Sequence, residues 1–183
     1  MNIKSFGILT AASIILASGS ANANLLFDIY AGGTYGMGGY TLIADSGDIS
    51  HSSKSYGAVL GMDIPMFRIE LEYNYLDADA VSLNMALINA YFKLPTPIAK
   101  PYIGVGIGST FDSKYELTPG SEIDIQDELT YQGMLGLTLD IPVIPFNIDI
   151  EGRVLYAPDI FETATDTPDL LQYEGRVKLR YVF

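Results

Sequence analysis

The stretch from Leu170 to Phe183 alternates two chemically opposed sets of side chains. One parity reads Leu171, Tyr173, Gly175, Val177, Leu179, Tyr181 and Phe183; the other reads Gln172, Glu174, Arg176, Lys178 and Arg180. Successive side chains of a strand point to opposite faces, so this stretch predicts a strand with one wholly apolar face and one charged face. The chain is 49% hydrophobic, with 13 Tyr, 8 Phe and 18 Gly, yet it has no apolar run near the ~20 residues that a spanning helix needs. If such a chain enters a membrane it must do so as a closed barrel, because only helices and edge-free sheets satisfy every backbone polar group in lipid.

The amino terminus has its own logic. Met1-Asn-Ile-Lys4 is short and basic, an apolar run follows from about Phe6 to Ala17, and small residues lead to Ala21-Asn22-Ala23. That order is the order of a cleaved secretory signal peptide, so residues 1–23 are expected to be removed, leaving residues 24–183 as one domain of 183 − 23 = 160 residues. An exported chain without cysteine has no disulfide scaffold, and its stability must come from the sheet itself. The formal charge of −12 argues against nucleic acid as a partner.

Period-two alternation recurs along the chain. The first segment, Leu26 to Tyr35, sets Phe27, Ile29, Ala31 and Tyr35 against Asp28, Tyr30 and Thr34, and a Gly- and Ser-rich stretch from about Gly36 to Ser53 reads as a long loop. The second strand, Ser55 to Ile64, ends at Pro65. In the third, Phe67, Ile69, Leu71, Tyr73 and Tyr75 alternate with Arg68, Glu70, Glu72 and Asn74, and the acidic Asp77-Ala-Asp79 follows as a loop. The fourth, Val81 to Leu94, is ambiguous: Asn89, Tyr91 and Lys93 indicate one parity as interior, Leu83, Met85 and Leu87 the other, and a bulge would reconcile them. Pro95 to Lys100 turns the chain into Tyr102 to Gly108, and Asp112 to Asp127 reads as a long polar loop. The sixth strand alternates Leu129, Tyr131, Leu135, Leu137, Leu139 and Ile141 with Thr130, Gln132, Thr138 and Asp140; the seventh, after Pro142 to Pro145, alternates Phe146, Ile148, Ile150, Val154 and Tyr156 with Asn147, Asp149, Glu151 and Arg153. A last loop, about Ala157 to Asp169, leads to the closing strand.

The final strand, with Tyr181 and Phe183 at its end, resembles the last strand of bacterial outer-membrane β-barrels, whose terminal aromatic residue and alternating apolar positions are the signal that their insertion machinery reads. The run Pro101-Tyr-Ile-Gly-Val-Gly-Ile-Gly108, behind Tyr91-Phe-Lys-Leu94, is similar to the middle hairpin of the same family. The resemblance covers residues 24–183 and implies an all-β fold: an eight-stranded antiparallel up-and-down transmembrane β-barrel with short periplasmic turns and longer outer loops, placed in the bacterial outer membrane. Its partners would be outer-membrane lipid and lipopolysaccharide, and the barrel-assembly machinery through the closing strand. It implies no cofactor and no metal, and a monomer.

Two independent features fit that architecture. Outward aromatic residues fall in two bands, Phe27, Phe67, Phe92, Phe146 and Phe183 at one end and Tyr35, Tyr56, Tyr73, Tyr75, Phe111, Tyr131, Tyr156 and Tyr173 at the other, as two lipid interfaces require. Acids concentrate in the expected outer loops (Asp45, Asp48, Asp77, Asp79, Asp112, Glu116, Glu122, Asp124, Asp127, Glu128, Asp159, Glu162, Asp166 and Asp169), with Lys54 and Lys114 also placed there. The interior is expected to hold a charge network of Arg68, Glu70, Glu72, Asp149, Glu151, Arg153, Glu174, Arg176, Lys178 and Arg180, with Lys93 beside it. An eight-stranded barrel is just wide enough for side chains to fill it, so these charges would form a salt-bridged plug. Gly104, Gly106 and Gly108 would leave inward space for Arg176 or Arg180. A nucleotide-binding reading of those glycines fails, since no helix follows them.

Three function classes compete. The leading expectation is a non-enzymatic envelope protein, with a structural or surface-interaction (adhesin or antigen) role and acidic loops facing a host or cell-surface ligand. The second is a narrow ion or small-solute channel. The third is a lipid A-modifying enzyme, in which His51 and Ser53, sharing a face, would pair as base and nucleophile with a loop acid such as Asp48.

Overall fold

The computed structural model describes residues 27–43, 49–78, 81–118, 121–125, 129–141, 144–158 and 169–183. The expected signal peptide, Asp48 and the acids Asp45, Asp79, Asp127, Glu128, Asp159, Glu162 and Asp166 lie outside the described residues.

The chain forms β1 (Asp28–Ile43), β2 (Ile49–Asp63), β3 (Phe67–Ala78), β4 (Val81–Lys93), β5 (Ala99–Thr118), β6 (Ser121–Ile125), β7 (Leu129–Asp140), β8 (Phe146–Ala157) and β9 (Asp169–Val182). All pairings are antiparallel, and the order β4-β3-β2-β1-β9-β8-β7-β5 closes on itself through a β4–β5 pairing. The result is an eight-stranded barrel, with β6 an appendage on the tail of β5. Closure removes the free edges of the eight barrel strands, and among the described strands β6 alone, paired only with β5, keeps one. At the seam, β1 pairs with β9 from Tyr30↔Val182 to Ile43↔Asp169, and the Phe183 N–H donates to the Ile29 carbonyl at 2.9 Å.

The two ends differ. At the turn end, where residues 27 and 183 also lie, β2–β3, β4–β5 and β7–β8 are joined by short connections containing Pro65, Pro95, Pro97 and Pro145. Proline suits these places because it has no N–H to withhold from a ladder. The β2–β3 turn is locked by reciprocal bonds, Ile64 N–H to Phe67 O at 2.8 Å and Phe67 N–H to Ile64 O at 3.2 Å. The opposite end, the loop end, carries the β1–β2, β3–β4, β5–β7 and β8–β9 connections.

Several boundaries depart from the sequence reading. The stretch Gly36 to Ser53 is largely strand: β1 runs on to Ile43 and β2 begins at Ile49, paired from Leu42↔Ile49 downward. Cross-strand pairing satisfies the backbone of a Gly- and Ser-rich segment as well as any other, and composition alone did not reveal it. Likewise, within Asp112 to Asp127, the described residues 112–118 and 121–125 are paired antiparallel strand, with Glu116↔Glu122 and Lys114↔Asp124 in register. Lys54, Asp77, Lys114 and Asp169 therefore stand on strands, not in loops.

Burial alternates along β3 and β9, and the even-numbered residues of these two strands point inward. Outside, the side chains form an apolar belt in which Leu135 and Val105 are 69% and 65% exposed. The aromatic residues expected at the two rims point outward as read, with Phe67 against Phe92 at one end and Tyr35 against Tyr56 at the other. Exposing so much apolar surface to water is unfavourable by ~25 cal/mol per Å2, so the belt requires an apolar solvent. No described helix is long and apolar enough to cross a membrane.

Candidate functional site

The lumen is where the sequence concentrates its polar chemistry, and it divides into layers. Nearest the turn end, Arg68 bridges Asp149 at 3.0 Å and Asp63 at 3.1 Å and donates to Thr138 at 3.1 Å. Arg180 holds the same two acids, Asp149 at 2.8 Å and Asp63 at 3.0 Å, and Lys93 pairs with Asp63. The Arg68 guanidinium also sits 5.4–5.6 Å from the ring centres of Tyr30, Tyr91 and Tyr102, within cation–π range.

One step further in, Glu70 accepts from Lys178 at 2.6 Å, Tyr30 at 2.6 Å and Tyr91 at 2.8 Å. Glu151 accepts from Tyr102 at 2.8 Å and pairs with Arg176. The third layer centres on Glu72, which pairs with Arg176 and Arg153 and accepts from Asn89 at 2.6 Å. Arg153 reaches on to Glu174 at 2.6 Å, and Glu174 also accepts from Ser55 at 2.7 Å and Gln172 at 2.9 Å. All ten residues expected in the interior network are thus brought together, and their side chains are buried. Burying charge is tolerable only when each ion is paired, and every ion of this network is, although the Arg153 Nε is buried with no hydrogen-bond partner among the described residues.

Space for these long side chains comes from glycines, but not from those expected. A Cβ on Gly104 would collide with the Tyr91 ring, and one on Gly106 would collide with the Asn89 side chain and stand 2.8 Å from Cγ of Gln132. The gaps at Gly104 and Gly106 are therefore filled by neighbouring β4 and β7 side chains, not by Arg176 or Arg180. The seam glycines make the room instead: a Cβ on Gly32 would meet the Arg180 Cγ at 3.1 Å, and one on Gly36 would meet the Glu174 Oε2 at 2.7 Å.

Towards the loop end the lumen changes character. Tyr40, Leu76, Ala78, Leu83, Met85, Leu87, Leu155, Ala157 and Leu170 form one buried apolar cluster. Here the ambiguity of β4 resolves. Leu83, Met85 and Leu87 point inward with Asn89, Tyr91 and Lys93, on a single parity. A register shift does occur in β4 at Leu83, between Ser82 and Asn84, but it does not switch the parity, since Leu83 is buried like Met85 and Leu87. Between the two regions, Asn74 is fully buried and its amide makes no hydrogen bond among the described residues, and neither does the buried Thr34 hydroxyl.

The His51 and Ser53 pair shares the inward parity of β2. His51 is exposed and stacks on Tyr40 with ring centres 5.8 Å apart, while the Ser53 hydroxyl is buried and makes no hydrogen bond among the described residues. A nucleophile needs a base within hydrogen-bond reach, and this geometry does not supply one. Among the described residues no group of three or more His, Cys, Asp or Glu is placed to hold a metal.

No protein-family model matches the chain, and no curated protein matches it by sequence. Its fold is that of solved bacterial outer-membrane barrels. The structure of neisserial surface protein A superposes with a TM-score of 0.60 at 17% identity, over 84% of this chain and 96% of that one. The N-terminal β-barrel domain of OprF from Pseudomonas aeruginosa gives a TM-score of 0.53 at 13% identity, over 82% and 97% of the two chains.

Proposed function

Taking the outer-membrane barrel fold as the premise, we propose that this chain is a non-enzymatic integral protein of the bacterial outer membrane, closed to solutes, that acts in the envelope through its loop end. The single observation that carries the reading is the lumen: five cationic side chains, Arg68, Arg153, Arg176, Lys178 and Arg180, are fully withdrawn from solvent and each is paired with a carboxylate inside the barrel. A water-filled pore would expose them, and a catalytic lumen would leave a reactive group unpaired. The apolar belt and its two aromatic rims support membrane insertion, and the polar, acidic loop end supports contact with surfaces or ligands outside the cell. The closing strand, with Tyr181 and Phe183 outward at its end, is suited to recognition by the assembly machinery.

Two measurements test the proposal. Protein from washed outer membranes, run unheated and boiled on one detergent gel, is expected to change mobility; recovery as a soluble periplasmic protein without a shift would overturn membrane insertion. Purified protein in a planar bilayer is expected to show no discrete conductance steps, and reproducible steps would favour the channel reading.

A further inference from the structure

The outer wall is not uniform. Across five neighbouring strands the register aligns Ala58, Tyr73, Ala86, Ser109 and Leu129 in one outward row, directly above a bulky row of Leu60, Leu71, Ile88 and Ile107. Three of the upper five are small, and the next row towards the loop end is again large, with Tyr56, Tyr75 and Phe111. Small residues between two bulky rows leave a recess of about 810 Å3 in the belt, almost wholly apolar. That volume lies within the ~300–1,000 Å3 typical of small-molecule sites.

The recess lies in the half of the belt nearer the loop end, below a polar fringe on the same strands. There the Tyr73 hydroxyl donates to Asn84 at 2.7 Å and the Tyr75 hydroxyl to Ser82 at 3.3 Å. Lys54 stands on the outward parity of β2, exposed, two outward positions above Ala58. A cation above an apolar recess is complementary to one class of amphiphile: an anionic headgroup over acyl chains. Protein partners fit less well, because a soluble ligand cannot reach below the aromatic rim, and a second copy of this acidic chain would be repelled.

We propose that this recess is a specific site for the acyl chains of a phosphorylated, multiply acylated lipid of the outer leaflet, with Lys54 contacting its phosphate. The inference rests on the membrane placement proposed above. Asp77, the cross-strand neighbour of Lys54, opposes the same phosphate and sets the affinity below its maximum.

Native mass spectrometry of the detergent-purified full chain, titrated with purified lipid A, tests the site. Wild type is expected to retain bound lipid at collision energies that strip detergent. Ala58→Leu/Ala86→Leu, which fills the recess, and Lys54→Glu, which reverses its cation, are each expected to lower the retained fraction at least tenfold, whereas Asp77→Asn raises it. Val154→Leu, on the opposite wall, leaves it unchanged. Equal retention by wild type, the filled recess and Lys54→Glu would overturn the site, as would a wild-type mass showing only protein dimer. Each variant is first run unheated and boiled: a wild type that shows no gel shift refutes the membrane reading itself, whereas a normal shift with unchanged lipid retention refutes only the recess.

Discussion

The two halves of the lumen solve the same problem by opposite means. Towards the turn end the space is filled by ions that are stable only as a set; towards the loop end it is filled by Leu76, Leu83, Met85, Leu87, Leu155 and Leu170, each of which needs only a neighbour of suitable shape. An ionic core is specific, since every carboxylate has particular donors, but it is brittle, because removing one member leaves another charge buried and unpaired. An apolar core tolerates exchange if volume is kept. The charged half therefore ties particular strands to one another, and the apolar half fills the lumen at the loop end.

The sharpest way to break this contrast is at Glu72, which holds both Arg153 and Arg176. Glu72→Ala is expected to cost ~3–5 kcal/mol, read from urea unfolding in lipid vesicles by the fraction of heat-shifted band. Loss below ~1 kcal/mol would mean that water already reaches the network. Leu155→Ala in the apolar half is expected to fall in the lower part of the ~2–5 kcal/mol range of buried Leu→Ala changes, read the same way. Replacing both members of one ion pair, Glu72→Leu with Arg176→Met, should cost less than the sum of the two single changes, with ~0.5–3 kcal/mol of coupling in a double-mutant cycle. Asn74 at the boundary gives the smallest effect and the opposite sign. Its amide has no partner among the described residues, so Asn74→Leu is expected to raise stability by ~1 kcal/mol. A fall would show that a buried water satisfies the amide.

How much of this was legible beforehand depends on which rule each residue obeys. The bodies of β3 and β9 were readable, though not the loop-end residues Asp77, Ala78 and Asp169, because Arg68, Glu70 and Glu72 alternate with Ile69 and Leu71, and Arg176, Lys178 and Arg180 with Val177 and Leu179. There the inward face differs chemically from the outward face. β4 failed for the complementary reason: near the loop end its inward Leu83, Met85 and Leu87 are as apolar as its lipid-facing Ile88, so polarity stopped reporting direction. The pairing of Gly36–Ile43 with Ile49–Ser53 was hidden because a ladder is a relation between two segments, and glycine and serine carry little strand preference of their own. The interior charges could be assigned to a face but not to partners. That Arg180 lies over Gly32, and that Tyr91 fills the gap at Gly104, follows from the register across the seam and between β4 and β5.

The pairings inside the lumen have one further consequence. Arg68 of β3 meets Asp149 of β8, and Arg153 of β8 meets Glu72 of β3, while β3 and β8 stand four places apart in a ring of eight. These contacts are diameters. They act as spokes act on a rim: side pressure from the surrounding bilayer that would flatten the cylinder must stretch or compress charged contacts spanning its full width. The barrel is therefore stiffest at the level of Glu72 and Asp149, and any breathing of its cross-section belongs to the unspoked loop end.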